Sequence, residues 1–257
     1  MELFSTDILL LLALIAAGFI SAFIDSVVGG GGLISLPAML LTGLPPTVAL
    51  GTNKLAAIAG VLTSSTTFWR RGMVEKKLVV YLLPLAFLSS MLGSYVIMQI
   101  ASFAFEPVII GALVIVALVV LFKKDWGGQS TYRGRSRNVW LAATLAAAGC
   151  AFYDGFIGPG TGSFMMMAFV AMGFDFVRAA GNSRCLNAAS NCGSLVFFLF
   201  LGQVHFGYGL AMALGMVAGG YAGARTAMVR GNGFVRLLFL LIVGALIIKL
   251  AWGYWGA

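Results

Sequence analysis

The chain has 257 residues, 61% of them hydrophobic and only 9% charged, with a mean hydropathy of +1.02. Soluble domains carry about 25% charged residues, so this composition excludes a soluble fold and points to an all-α polytopic membrane protein. The net charge of +8 is not the footprint of a nucleic-acid partner, because most Lys and Arg fall in short loops and near helix ends, where they report topology.

The start is acidic (Glu2, Asp7) and lacks the basic region of a signal peptide, so the first apolar segment, 7–28, is expected to stay in the mature protein. Four consecutive glycines, Gly29 to Gly32, then interrupt the hydrophobic sequence. Glycine and proline break helices, and irregular backbone at membrane depth persists only where protein or a watery cavity covers it. The next segment, 33–43, has 11 residues, or about 16 Å of helix, half of a ~30 Å hydrocarbon core. Pro45-Pro46 precede a third segment, 47–69, which opens on Leu50-Gly51-Thr52-Asn53-Lys54. The basic loop 70–77 leads to segments 78–98 and 104–122, which are joined by a loop holding Glu106 and no basic residue. Lys123, Lys124, Arg133, Arg135 and Arg137 mark a linker, followed by segments 139–157, 162–172, 175–201, 206–228 and 233–255.

A shift of 130 takes Gly30 to Gly160, Gly32 to Gly162, Gly51 to Gly181, Lys54 to Arg184, Gly72 to Gly202 and Gly93 to Gly223 without a gap. The chain therefore reads as an internal duplication: a first membrane repeat 1–122, a basic cytoplasmic linker 123–138, and a second repeat 139–257. If Lys and Arg mark the cytoplasm, loop 70–77 is inside while its counterpart 202–207, without Lys or Arg, is outside. Loop 98–106 is outside while 225–236, with Arg225, Arg230 and Arg236, is inside. These are inverted-topology repeats, an arrangement common among secondary transporters, with short broken or re-entrant helices at the glycine motifs.

Within the expected membrane core the ionisable residues are Asp25, Lys54, Asp154 and Arg184, with Arg178 near a turn. Each is a functional hypothesis, because an intramembrane charge is costly. Lys54 and Arg184 are related by the repeat, and two cations facing one cavity repel each other unless an anion sits between them. Thr52, Asn53, Asn182, Ser183, Asn187 and Asn191 can hydrogen-bond an oxyanion. The freed N–H groups of Gly29, Gly30, Gly31 and Gly32, and of the stretch from Gly158 through Gly160 and Thr161 to Gly162, add anion-binding dipoles. Asp25 and Asp154 stand one residue off strict correspondence; they either couple a proton or balance Lys54 and Arg184 as internal struts. Arg178 reads as a turn or interface residue paired with Asp175, His205 as a solvated loop residue, and Met165 to Met167 as pliable packing with no metal site. Gly215, Gly219 and Gly223 mark close helix packing, and Trp252, Tyr254 and Trp255 beside Lys249 an interfacial belt. Cys185 and Cys192 are seven residues apart on one segment, about 10 Å, too far to bridge.

The stretches GFISAFIDSVVGGGGLISLP, ALGTNK, DGFIGPGTGSF and AAGNSRCLNAASN resemble the TauE/SafE family of sulfite-exporter-like permeases, and the resemblance covers essentially the whole chain. It implies export of sulfite, an organosulfonate or another small anion from a prokaryotic cell across its plasma (inner) membrane. The residues and the resemblance together lead to a secondary transporter working by alternating access at a central basic site, without cofactor and not an enzyme. The alternatives are an anion channel on the same scaffold and an intramembrane enzyme. The sequence leaves the coupling ion, the direction and homo-oligomerisation open.

Overall fold

The computed structural model describes residues 8–99, 130–132 and 137–255, with side chains described through residue 238 and at Leu241. Every regular element among them is helical: α1 (Ile8–Val28), α2 (Gly32–Leu40), α3 (Pro46–Arg70), α4 (Lys76–Met98), α5 (Arg137–Phe156), α6 (Thr161–Ala171), α7 (Phe176–Phe200) and α8 (Phe206–Trp255). The last of these breaks at Gly231, whose φ is 72°. Segment 104–122, the loop before it and nearly all of the linker lie outside the described residues, as do the side chains of the C-terminal aromatic belt.

The helix ends follow from local chemistry. Pro46 starts α3 at the first helical position, where its missing N–H costs nothing. Asp175 caps α7 by accepting from the Arg178 backbone N–H at 3.0 Å, and its carboxylate also meets the Arg178 side chain at 3.8 Å. That is the turn role expected of Arg178. His205 Nδ1 accepts from the Tyr208 N–H at 3.2 Å at the start of α8, and its ring stacks on Tyr208. His205 is therefore a half-buried helix-start residue rather than a fully solvated one.

Helices α1, α4 and α5 are each long and apolar enough to cross a membrane. The distribution of side chains is that of a protein in lipid. Leu12, Ile20, Leu88, Leu145 and Leu214 are exposed, while Lys54, Asp154, Arg184, Asn182 and Ser190 are buried. A soluble fold has the reverse arrangement.

Glycines fix which helices touch and in which direction. The backbone of α8 at Gly215, Gly219 and Gly223 lies against the carbonyls of Ile15, Phe19 and Phe23, so α1 and α8 run parallel with no room for side chains between them. This is the close packing expected from that glycine spacing. Gly93 lies against Phe152 and Gly193 against Phe87, bringing α4 alongside α5 and α7. Gly51 meets Phe198 and Gly181 meets Phe68, so α3 and α7 cross in opposite directions. Corresponding positions make exchanged contacts. Gly51 sits on the Gln203 carbonyl and Gly181 on that of Met73, while Thr52 bonds His205 and Asn182 bonds Glu75. The methionines Met165 and Met166 are buried in the main apolar core, as packing. Cys150, Cys185 and Cys192 are free thiols.

Candidate functional site

The two glycine breaks meet at the centre. Gly29 adopts φ 89°, open to glycine at little cost, and its backbone lies directly against that of Gly162. The Ser163 N–H donates to the Gly29 carbonyl at 3.1 Å, and the Ser163 hydroxyl to the Val28 carbonyl at 2.8 Å. Each break thus supplies partners that lipid could not give the other, which is why irregular backbone is stable here. Ser21 closes the first break by donating to the Gly31 carbonyl at 2.8 Å. Tyr153 holds the second by donating to the Pro159 carbonyl at 2.9 Å.

Two ion pairs flank this centre, and both join one half of the chain to the other. Lys54 Nζ on α3 donates to Asp154 Oδ1 on α5 at 3.0 Å and also to the Asp154 carbonyl. Arg184 Nη1 on α7 pairs with Asp25 Oδ2 on α1. Lys54 and Arg184 stand 130 residues apart in the sequence, and each is held by an acid from the other half of the chain. The two acids differ. Asp154 Oδ2 further accepts from Ser190 Oγ, from Asn191 Nδ2 at 3.1 Å and from Asn187 Nδ2 at 3.3 Å, and its side chain is 4% exposed. Asp25 has one other donor, the Gly31 N–H at 3.1 Å, and is 16% exposed.

Between the pairs lies a cavity of about 40 Å³. On the measure by which one water needs ~10–15 Å³, it has room for roughly three waters or one small polyatomic ion. Lys54, Asp25, Asp154, Asn53, Asn187 and Asn191 line it, as do the expected backbone positions Gly31, Gly32, Gly160, Thr161 and Gly162. Asn53 Oδ1, buried in the lining, has no hydrogen-bond partner among the described residues.

Other expected residues face elsewhere. Thr52 Oγ1 accepts from the His205 N–H at 2.8 Å and Asn182 Oδ1 from the Glu75 N–H at 2.7 Å. Both tie a helix start to the loop before α8 or α4, because a residue two places before Lys54 or Arg184 points about 200° away around the helix. Ser183 donates to the Ala180 carbonyl at 2.9 Å, and the Gly30 carbonyl accepts from the Leu33 N–H at 3.1 Å. Neither lines the cavity. Arg184 does not line it either. It lies behind Gly162, where a Cβ would fall 2.8 Å from its guanidinium carbon, and its Nε and Nη2 have no partners among the described residues.

Gly29 and Gly158, expected with the other glycine-break positions, also line the cavity, whereas Ser190 and Ser21 were not anticipated. The signal for Ser190 lay in its spacing, since Asn187, Ser190 and Asn191 stand at i, i+3 and i+4 and share one helical face.

An apolar exterior, charges turned inward and broken helices abutting at a small polar cavity define a multi-pass membrane protein of the kind that moves a solute. Comparison with known families makes this specific. Residues 14–250 match the family described as Sulfite exporter TauE/SafE, and the chain belongs to that family, which is one of transporters and not of enzymes. A "Probable membrane transporter protein" of Haemophilus influenzae is 37% identical over 234 residues, 91% of each chain. One of a Sinorhizobium species, ORF9, is 37% identical over 245 residues, covering 94% of this chain and 92% of the relative. The Escherichia coli K12 relative YfcA, also described as a probable membrane transporter protein, is 32% identical over 251 residues, 97% of this chain and 92% of that one.

Proposed function

We propose that this protein is a secondary transporter that exports a small anion, sulfite or an organosulfonate, from the cell by alternating access. The anion site is the cavity between Lys54 and Arg184. The observation that carries the reading is a pair of buried cations at a cavity walled by glycine backbone, Lys54 in its lining and Arg184 directly behind Gly162. Asn53, Asn187 and Asn191 would orient the oxyanion, and the glycines let backbone N–H groups approach it.

The reading includes two inverted repeats. It is supported by the antiparallel crossing of α3 and α7, whose positions correspond at a shift of 130, and by the exchanged contacts around them. Rocking of one repeat against the other would then expose the cavity to each side in turn. For an anion that moves without a counter-charge, an inside-negative potential favours exit by about 2.3 kcal/mol per charge per 100 mV.

The test is uptake of radiolabelled sulfite into liposomes holding the purified protein, with sulfate, thiosulfate and sulfoacetate as competitors. Saturable uptake with counter-flow, lost in folded Lys54→Ala and Arg184→Ala, is the expected result. Full activity in either variant would sink the site. Flux that neither saturates nor shows counter-flow would make the protein a channel.

A further inference from the structure

The side chains around the cavity carry no net charge, since Lys54 and Arg184 stand against Asp25 and Asp154. Adding a bare anion would place an uncompensated charge in a buried site, which is costly. Adding an anion together with a proton would not. The two acids are not equally able to take that proton. Asp154 is held by four side-chain donors from two helices and is almost fully enclosed. Asp25 has two donors, is four times as exposed, and lines the cavity.

Its partner supplies the second observation. Arg184 is 1% exposed, yet Nε and Nη2 have no acceptor among the described residues. A guanidinium presents five donors in a planar fork suited to a bidentate oxyanion. Unsatisfied buried donors are costly, so this fork is built for more than the one carboxylate oxygen it holds.

We propose that Asp25 is a stand-in for the transported anion on Arg184, and that a proton from water releases it. This rests on the anion site proposed above. When Asp25 Oδ2 takes the proton, the carboxylate charge that paired with Arg184 Nη1 is gone, and the weakened contact yields. The anion then accepts from Arg184, and the charge of the cavity is unchanged. Return of the proton to water restores the Asp25–Arg184 pair and expels the anion. One proton therefore travels with each monovalent anion, in the same direction. Asp25 faces Arg184 of α7 directly and Lys54 of α3 and Asp154 of α5 around the cavity. Helices α2 and α6 carry no titratable residue, the Tyr153 hydroxyl of α5 is engaged with Pro159, and Arg225 of α8 is exposed.

The probe is methanesulfonate, whose charge does not change over the working range, so that any pH dependence belongs to the protein. Binding to the purified full-length parent is expected to tighten as pH falls, by up to about tenfold per pH unit. Uptake into liposomes containing a pH-sensitive dye should acidify the lumen with one proton per anion. Asp25→Asn should bind with an affinity independent of pH and exchange anions without moving protons, and Asp25→Glu should restore the pH slope. The two parent measurements keep the test decisive if Asp25→Asn does not fold. A parent that binds and moves the anion with no pH slope and no proton entry overturns this inference and leaves the anion site standing. The parent's slope persisting in Asp25→Asn also overturns it. A parent that neither binds nor moves any anion tested overturns both.

Discussion

The pairing of Lys54 with Asp154 can be tested as an interaction, apart from any transport assay. Both side chains are nearly solvent-free, at 3% and 4% exposure, so removing one charge strands the other. Stranding a buried charge costs about 3–5 kcal/mol. After Lys54→Met, Asp154 keeps Ser190, Asn187 and Asn191 as donors, which places the loss near the lower limit, about 3 kcal/mol. After Asp154→Asn, Lys54 keeps the backbone carbonyl of residue 154, and the loss is of similar size. The double variant removes both charges, so its loss should fall short of the sum by about 2–3 kcal/mol, at the upper end for residues in direct contact. The assay is denaturant unfolding of the four proteins in one detergent, followed by tryptophan fluorescence. Losses that add within about 0.5 kcal/mol would show that the two side chains act independently, and the crossed-pair account would fail.

Four further outcomes follow from the geometry. Gly29→Ala places a Cβ on the Gly162 backbone at φ 89° and should abolish folding or transport, whereas Gly43→Ala, at φ 80° with nothing within 4 Å, should cost only the ~1–2 kcal/mol of the left-handed conformation; thermal unfolding compares them. Thr52→Val leaves the His205 N–H without its acceptor and should cost about 1–3 kcal/mol while the anion Kd, read by calorimetry, stays the same. Gly219→Leu would drive a side chain into the Phe19 backbone, parting α1 from α8 and lowering the yield of monodisperse protein in size-exclusion chromatography. Single cysteines in loops 70–77 and 202–207 should react with an impermeant reagent from opposite sides of the membrane; labelling from one side only refutes the inverted repeats.

The helices were legible because the signals that end them are local. Hydropathy, Pro45-Pro46 and the glycine breaks place the described boundaries within a few residues of those read from the sequence. Lys54, Arg184, Asp25 and Asp154 were legible as well, since an intramembrane charge stands out against apolar neighbours. Who holds whom was not. The shift of 130 relates Lys54 to Arg184 but says nothing of which half each side chain faces, and the exchange of partners is a property of the α3–α7 crossing. Thr52 and Asn182 were read toward the anion because they adjoin the cations in sequence. In space Thr52 closes onto the His205 backbone and Asn182 onto that of Glu75. Helical phase decides this: Lys54, Ala57 and Val61 line the cavity with Asn187 and Asn191, the counterparts of Ala57 and Val61.

The crossed pairs also set a schedule for synthesis. Lys54 has to wait for a partner 100 residues further along the chain and Asp25 for one 159 residues further. At roughly 5–20 residues per second, these intervals last about 5–20 s and 8–32 s. Throughout, the first half holds a lone cation and a lone acid in the bilayer, where each destabilises the inserted helix that carries it. The nascent first half is therefore a species that the translocon, or some other polar chaperoning surface, has to shelter until the second half arrives.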